Sequence, residues 1–169
     1  MNLDPEIKCY FIRFKKDLFK DFYVDEDNNV IYLKGEENYI PGILIKTLKA
    51  MEYVHNNFDF KYLIRTNISS FWDFKTFKRF YHRYDDNIVR APIGFEEHIP
   101  FPGGSGMVIS KNVIGLMIKN QSSFNYNLID DRSIGIFLHS HNIQIIDGEN
   151  DRTLFETPLE KPARSKSVV

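Results

Sequence analysis

The sequence predicts an α/β protein, a mixed sheet flanked by helices. Short runs of strand-forming apolar residues alternate with segments whose apolar residues recur at helical spacing. In chain order they read β, β, α, β, α, β, α, α, β, and that alternation favours helices packed on a sheet. Hydrophobic residues make up 43% of the 169 positions, enough to build a core in one domain. The domain is expected over residues 1–150, with 151–169 a flexible polar tail.

Ile7 to Phe14 has strand character. Lys15 to Asn29 is charged and reads as irregular, with a turn at Asp25-Glu26-Asp27-Asn28-Asn29. Val30 to Leu33 is a second short strand. Pro41 and Gly42 open a helix whose buried face is Ile43, Leu44, Leu48, Met51 and Val54. Lys61 to Thr66 reads as a buried central strand that stops in a polar cluster. Asp73 can cap a helix carrying Phe74, Phe77, Phe80 and Tyr84, closed by Asp85-Asp86-Asn87. Ile88 to Ala91 is strand-like, and Pro92 to Gly106 reads as a loop rich in Pro and Gly. Met107 to Ile109 is short and apolar, and Ser110 can cap the helix of Val113, Ile114, Met117 and Ile118. Asp130-Asp131 opens a last helix with Ile134, Phe137 and Leu138 inward, before a strand at Ile143 to Ile146.

Composition narrows the function classes. Lys and Arg number 22 against 23 Asp and Glu, so no global charge recruits nucleic acid or a membrane surface. The single cysteine, Cys9, excludes an internal disulfide and a cysteine-rich zinc site. No apolar stretch approaches the roughly 20 residues of a membrane span, and no basic start precedes an apolar run. A soluble protein of a reducing compartment, the cytoplasm, is the expectation.

Four segments can carry chemistry. Arg65-Thr66-Asn67-Ile68-Ser69 places a guanidinium, hydroxyls and an amide at a strand's C-terminal end, where open α/β sheets bind ligands. Gly103, Gly104 and Gly106 let backbone N–H groups approach a ligand, although the loop matches neither phosphate-binding fingerprint. Asp130 and Asp131 suit a helix start by capping and dipole; beside a pocket, one of them can also serve as a general base. His139 and His141 point to different faces of a helix, which favours a solvated helix end over a metal site. Lys75, Lys78, Arg79 and Arg83 interleave with aromatics, but the aromatics share one helical face, so an amphipathic core helix is the better account than a nucleic-acid module.

Together these segments resemble the glycosyltransferases of the GT-A fold, most closely the β-1,3-galactosyltransferase and fringe type. Glu36-Glu37-Asn38-Tyr39 with Leu44-Ile45-Lys46-Thr47 resembles the family's D-S-Y-x-N-L-T-x-K-T segment. Tyr62 to Ser69 resembles its Y-x-x-K-x-D-D-D strand, and Pro102 to Ser110 its C-S-G-G-G-Y-x-L-S loop and strand. Asp130-Asp131 followed by Gly135 resembles its E-D-V-x-x-G helix start. The resemblance covers about Val30 to Ile146, with the motifs in the family's order. The Arg-Thr-Asn-x-Ser-Ser-Phe pattern also resembles glycosyltransferase-like proteins of large DNA viruses, which would place the chain in a host cytoplasm.

The resemblance implies a GT-A-like, Rossmann-like fold and transfer of a sugar, with inversion, from a nucleotide sugar (UDP-linked) to a hydroxyl of a glycan or protein acceptor. It makes Asp131 the leading candidate base and Asp130 the second. Arg65, Asn67, Ser69, Gly103 and Gly104 become donor-site residues. The family's D-x-D acids hold Mn²⁺ or Mg²⁺, which screens the diphosphate. Here that position is Asn67-Ile68-Ser69, neutral ligands that bind such cations far more weakly. The metal is therefore in question, and an inactive carbohydrate- or protein-binding remnant is the alternative. The family also places one further strand-helix unit before the segment resembling Ile7 to Phe14, so an N-terminally shortened version of the fold is expected.

Overall fold

The computed structural model describes residues 6–81 and 86–148. The expected helix end at Tyr84 and Asp85 and the expected tail lie outside the described residues. The protein is mixed α/β, as the alternation of apolar patterns implies, but the strands of the described residues form two separate sheets and a hairpin rather than one continuous sheet.

The first sheet holds β1 (Phe11–Lys15), β2 (Phe22–Asp25) and β3 (Val30–Lys34), in the order β1-β3-β2. β1 runs parallel to β3, and β2 runs antiparallel to it. The strand β2 lies inside the segment expected to be irregular, because its Phe-Tyr-Val core is too short to stand out among charged neighbours. The expected turn over Asp25 to Asn29 joins it to β3: Asp25 Oδ1 accepts the Asn28 N–H at 3.1 Å, and Asn29 takes a left-handed φ of 53°.

Helix α1 (Gly42–Asn57) lies between that sheet and the main core. Its Leu44, Leu48 and Met51 enter the main core, while Ala50, Tyr53 and Val54 meet Ile31 and Leu33 of β3. Leu44, Leu48 and Met51 are fully buried, and each is worth about 1.5–3 kcal/mol. The helix start is held by Asn38, whose Oδ1 accepts the Gly42 N–H at 2.7 Å.

The second sheet is β4 (Tyr62–Arg65), β5 (Val89–Ala91), β8 (Met107–Ser110) and β9 (Ile145–Asp147), in the order β4-β8-β5-β9. β8 runs antiparallel to both neighbours and β5 parallel to β9, so β4, β5 and β9 share a direction. Successive β8 side chains alternate between two apolar layers. Met107 and Ile109 meet α1, α3 (Lys111–Lys119) and α4 (Asp130–Ser140); Val108 meets Ile64, Trp72 and Phe77 of the α2 (Phe74–Tyr81) side. Phe77 thus faces inward, as the amphipathic reading of that helix requires.

Three further expectations are corrected. Among the described residues β4 is an edge strand, paired with β8 alone and only partly buried. Both of its faces are covered, so its apolar run resembles that of a central strand, and apolar pattern does not report lateral neighbours. The loop over Pro92 to Gly106 contains a hairpin, β6 (Ile93–Glu96) and β7 (Ile99–Pro102). Its turn residues Glu97 and His98 hold φ of 46° and 70°, a geometry usually signalled by Asn-Gly, so the sequence carries no turn signature. Ser110 does occupy the residue before α3, but its Oγ accepts the Ile88 N–H at 3.2 Å and makes no bond to the helix. No helix among the described residues is long and apolar enough to cross a membrane.

Candidate functional site

The reversal of β8 assembles the site. Arg65, the last residue of β4, pairs with Met107, the first of β8. The segment that feeds β8, Gly103 to Gly106, therefore rises where β4 ends. Helix α4 begins at the same end with Asp130, which is buried.

Arg65 ties these segments together. Its Nη2 donates to Asp130 Oδ2 in a short ion pair. Its Nη1 donates to the Gly104 carbonyl at 2.8 Å and to Asn67 Oδ1 at 3.1 Å. Gly104 permits this approach, since a Cβ there would stand 3.0 Å from Arg65 Nη1 and 3.4 Å from Asn67 Nδ2. Four of the predicted residues, Arg65, Asn67, Gly104 and Asp130, so meet in one hydrogen-bonded cluster, although up to 65 residues of chain separate them.

Asp131 follows Asp130 on α4 and is half-buried. Its Oδ1 accepts the Arg132 N–H at 2.9 Å. Burial, and then the neighbouring Asp130 charge, push its carboxyl above the usual aspartate range, with Arg65 opposing. A carboxylate disfavoured in its charged form is a better proton acceptor than an exposed one.

Other predicted residues stand apart. The Gly103 N–H donates to Pro92 O at 2.7 Å and the Gly106 N–H to Gly103 O at 3.3 Å, so these amides hold the loop's own shape. Ser69 is exposed in the turn that follows Asn67, beside Ile68, which is 92% exposed. Asn67 and Ser69 do not suit Mn²⁺ or Mg²⁺, because Asn67 Oδ1 already receives a guanidinium N–H whose charge repels a cation. Among the described residues no three His, Cys, Asp or Glu side chains gather as a metal site. His141 stacks on Phe137 at 4.1 Å, with Nδ1 2.9 Å from the Phe137 carbonyl, while His139 is exposed. On α2, Lys78 pairs with Glu6 at 2.5 Å.

The sequence reading names Thr66 within the polar cluster but not the contacts it makes, and it misses a second group altogether. Thr66 Oγ1 donates to Ser105 O at 2.8 Å and accepts the Trp72 indole N–H at 2.9 Å, with the Trp72 ring lying over Gly106. This brace fixes the glycine segment against β4, and the lone tryptophan after a polar turn was its signal. The second group lines a cleft of about 220 Å³ between α4 and the β6–β7 hairpin. Glu96, Glu97 and Arg132 are polar there, while Phe101, Leu128 and Ile136 are apolar. Arg132 pairs with Glu96 across it. Nothing in the sequence marks these residues, because the hairpin that gathers them has no signature. No family model matches the chain, and no curated protein matches it.

Proposed function

We propose that the chain transfers a sugar from a nucleotide-sugar donor, UDP-linked, to a hydroxyl of a glycan or protein acceptor on a GT-A-like scaffold. One observation carries this reading. Three separated segments that resemble the family's motifs converge on Arg65, with a half-buried, raised-pKa Asp131 beside them.

In this reading Asp131 takes the proton of the acceptor hydroxyl. The hydroxyl oxygen bonds to the anomeric carbon as the bond to the diphosphate breaks, and the nucleoside diphosphate leaves. Asp130 is a positioning residue that fixes the Arg65 guanidinium at the end of β4, where its positive charge attracts the diphosphate. Because Asn67 faces that guanidinium, Arg65 takes the place of a divalent cation beside the diphosphate in this reading.

Release of nucleoside diphosphate, followed with a panel of nucleotide sugars and acceptors, tests the reading. Asp131→Asn should abolish transfer and leave the melting temperature in place. Undiminished turnover in that variant would remove Asp131 from the mechanism. A donor at 100 times its Kd should stabilise the fold by about 2.7 kcal/mol.

A second reading has its own support. Asp130, Gly104 and Asn67 already occupy both Arg65 terminal nitrogens, as in a structural brace. That favours a non-catalytic carbohydrate- or protein-binding relative of the fold. Hydrolysis of a sugar nucleotide by pure protein would end this second reading.

A further inference from the structure

We infer that the cleft between α4 and the β6–β7 hairpin is an acceptor subsite that takes a single sugar ring. The acceptor role rests on the transferase reading above; binding of the ring rests on the cleft itself.

The position follows from helix geometry. Asp131 and Gly135 lie one turn apart on the same face of α4. That face rests on β7, since a Cβ at Gly135 would stand 2.5 Å from Phe101 Cβ and 2.7 Å from the Pro100 carbonyl oxygen. Phe101 also lines the cleft, and Arg132 and Ile136, each the next residue around the helix, line it too. The cleft therefore adjoins the turn of α4 that carries Asp131.

The lining selects the ligand class. A pyranose offers an apolar C–H face and a rim of hydroxyls, each both donor and acceptor. Phe101 and Ile136 match the face; Glu96, Glu97 and Arg132 match the hydroxyls. Arg132 places Nη2 on Glu96, and its buried Nε has no hydrogen-bond partner among the described residues. A diphosphate would meet two carboxylates here, so the donor's leaving group is disfavoured. An acyl chain would leave the charged side chains unmatched. The volume, about 220 Å³, falls below the roughly 300–1,000 Å³ of pockets for larger ligands and suits one ring.

The test titrates the full chain, without donor, with methyl glycosides of glucose, galactose, mannose and N-acetylglucosamine, followed by NMR. At least one should bind in the millimolar range or tighter. Ile136→Trp, which fills the cleft, should weaken that binding about tenfold or more. Glu97→Gln keeps the side-chain size and should weaken it about threefold, which covers the case in which the tryptophan variant misfolds. Absence of binding to the wild type overturns the inference, as does equal binding by both folded variants. The donor-induced rise in melting temperature reports on the transferase reading separately. Glycoside binding that Ile136→Trp abolishes, in a protein that no nucleotide sugar stabilises, overturns the acceptor role while leaving a saccharide site.

Discussion

Replacing Arg65 by Met keeps most of the aliphatic stem and removes the charge. Asp130 is then left with a side chain 8% exposed and no partner in place of Arg65, which is itself 17% exposed. Removing one partner of a buried ion pair costs about 3–5 kcal/mol, mainly through the stranded charge. The partial exposure of Arg65 sets the lower end, about 3 kcal/mol. The bond to Asn67 is solvent-exposed and adds little. For a chain of this size each kcal/mol moves the melting temperature by about 2–4 °C, so Arg65→Met should melt about 6–12 °C lower. The double variant Arg65→Met/Asp130→Leu removes both charges and should recover most of the loss. A deficit of about 1 kcal/mol should remain, because an acid at a helix start also interacts with the helix dipole. Urea unfolding of the wild type, both single variants and the double closes the cycle. A single-variant cost below about 1 kcal/mol, or a double variant as unstable as the sum of the singles, would refute the assignment of Arg65 and Asp130 as a buried, mutually dependent pair.

Other consequences are measurable on the same protein. Transfer activity should rise with pH along a limb above the ordinary aspartate range of about 3.9, because Asp131 must lose a proton whose release burial and Asp130 oppose. The raised carboxyl also fixes a sign for stability. The wild type should lose its Asp131 contribution as pH rises from the usual carboxylate range through the raised value. Asp131→Asn should therefore be at least as stable as wild type at neutral pH, and a clear drop in its melting temperature would contradict this. Gly135→Ala should destabilise by about 1–3 kcal/mol in urea titrations, since its Cβ would press on the Phe101 and Pro100 backbone; overpacking outweighs a helix-propensity gain of about 1 kcal/mol. Transfer, where found, should survive chelation of divalent cations by EDTA, and a strict Mn²⁺ requirement would show that the Asn67 cluster rearranges around a metal.

The elements that the sequence reveals best are those whose apolar residues recur over several turns or fill both faces. α1, α3 and α4 announce themselves through Leu44, Leu48 and Met51, through Val113, Ile114 and Met117, and through Ile134, Phe137 and Leu138. β8 is legible because its four residues are all buried. β2, β6 and β7 are not, because each is four residues long and is held by turn geometry and partner strands rather than by its own pattern. For the site, the motif resemblance located Arg65, Asn67, Gly104 and Asp130, and the structure joins them. Their chemistry was not legible. No spacing rule tells that Asp130 is spent on Arg65, or that the Gly103 amide bonds Pro92. The cleft was out of reach, since Glu96 and Arg132 are 36 positions apart in the numbering and meet through a hairpin whose turn, Glu97-His98, carries no recognisable residue.

The reversed strand β8 has a consequence for the order of folding. Arg65 waits for Gly104 and Asp130, which follow 39 and 65 residues later, and the loop closures that bring them together carry an entropic cost. Helices α1 and α3 can form from local contacts, but the Arg65 cluster can form only after β8 has docked antiparallel to β4 and α4 has packed on β7. Arg65 and its partners should therefore lock late in folding. Mutations among them should then chiefly speed unfolding and leave the folding rate nearly unchanged.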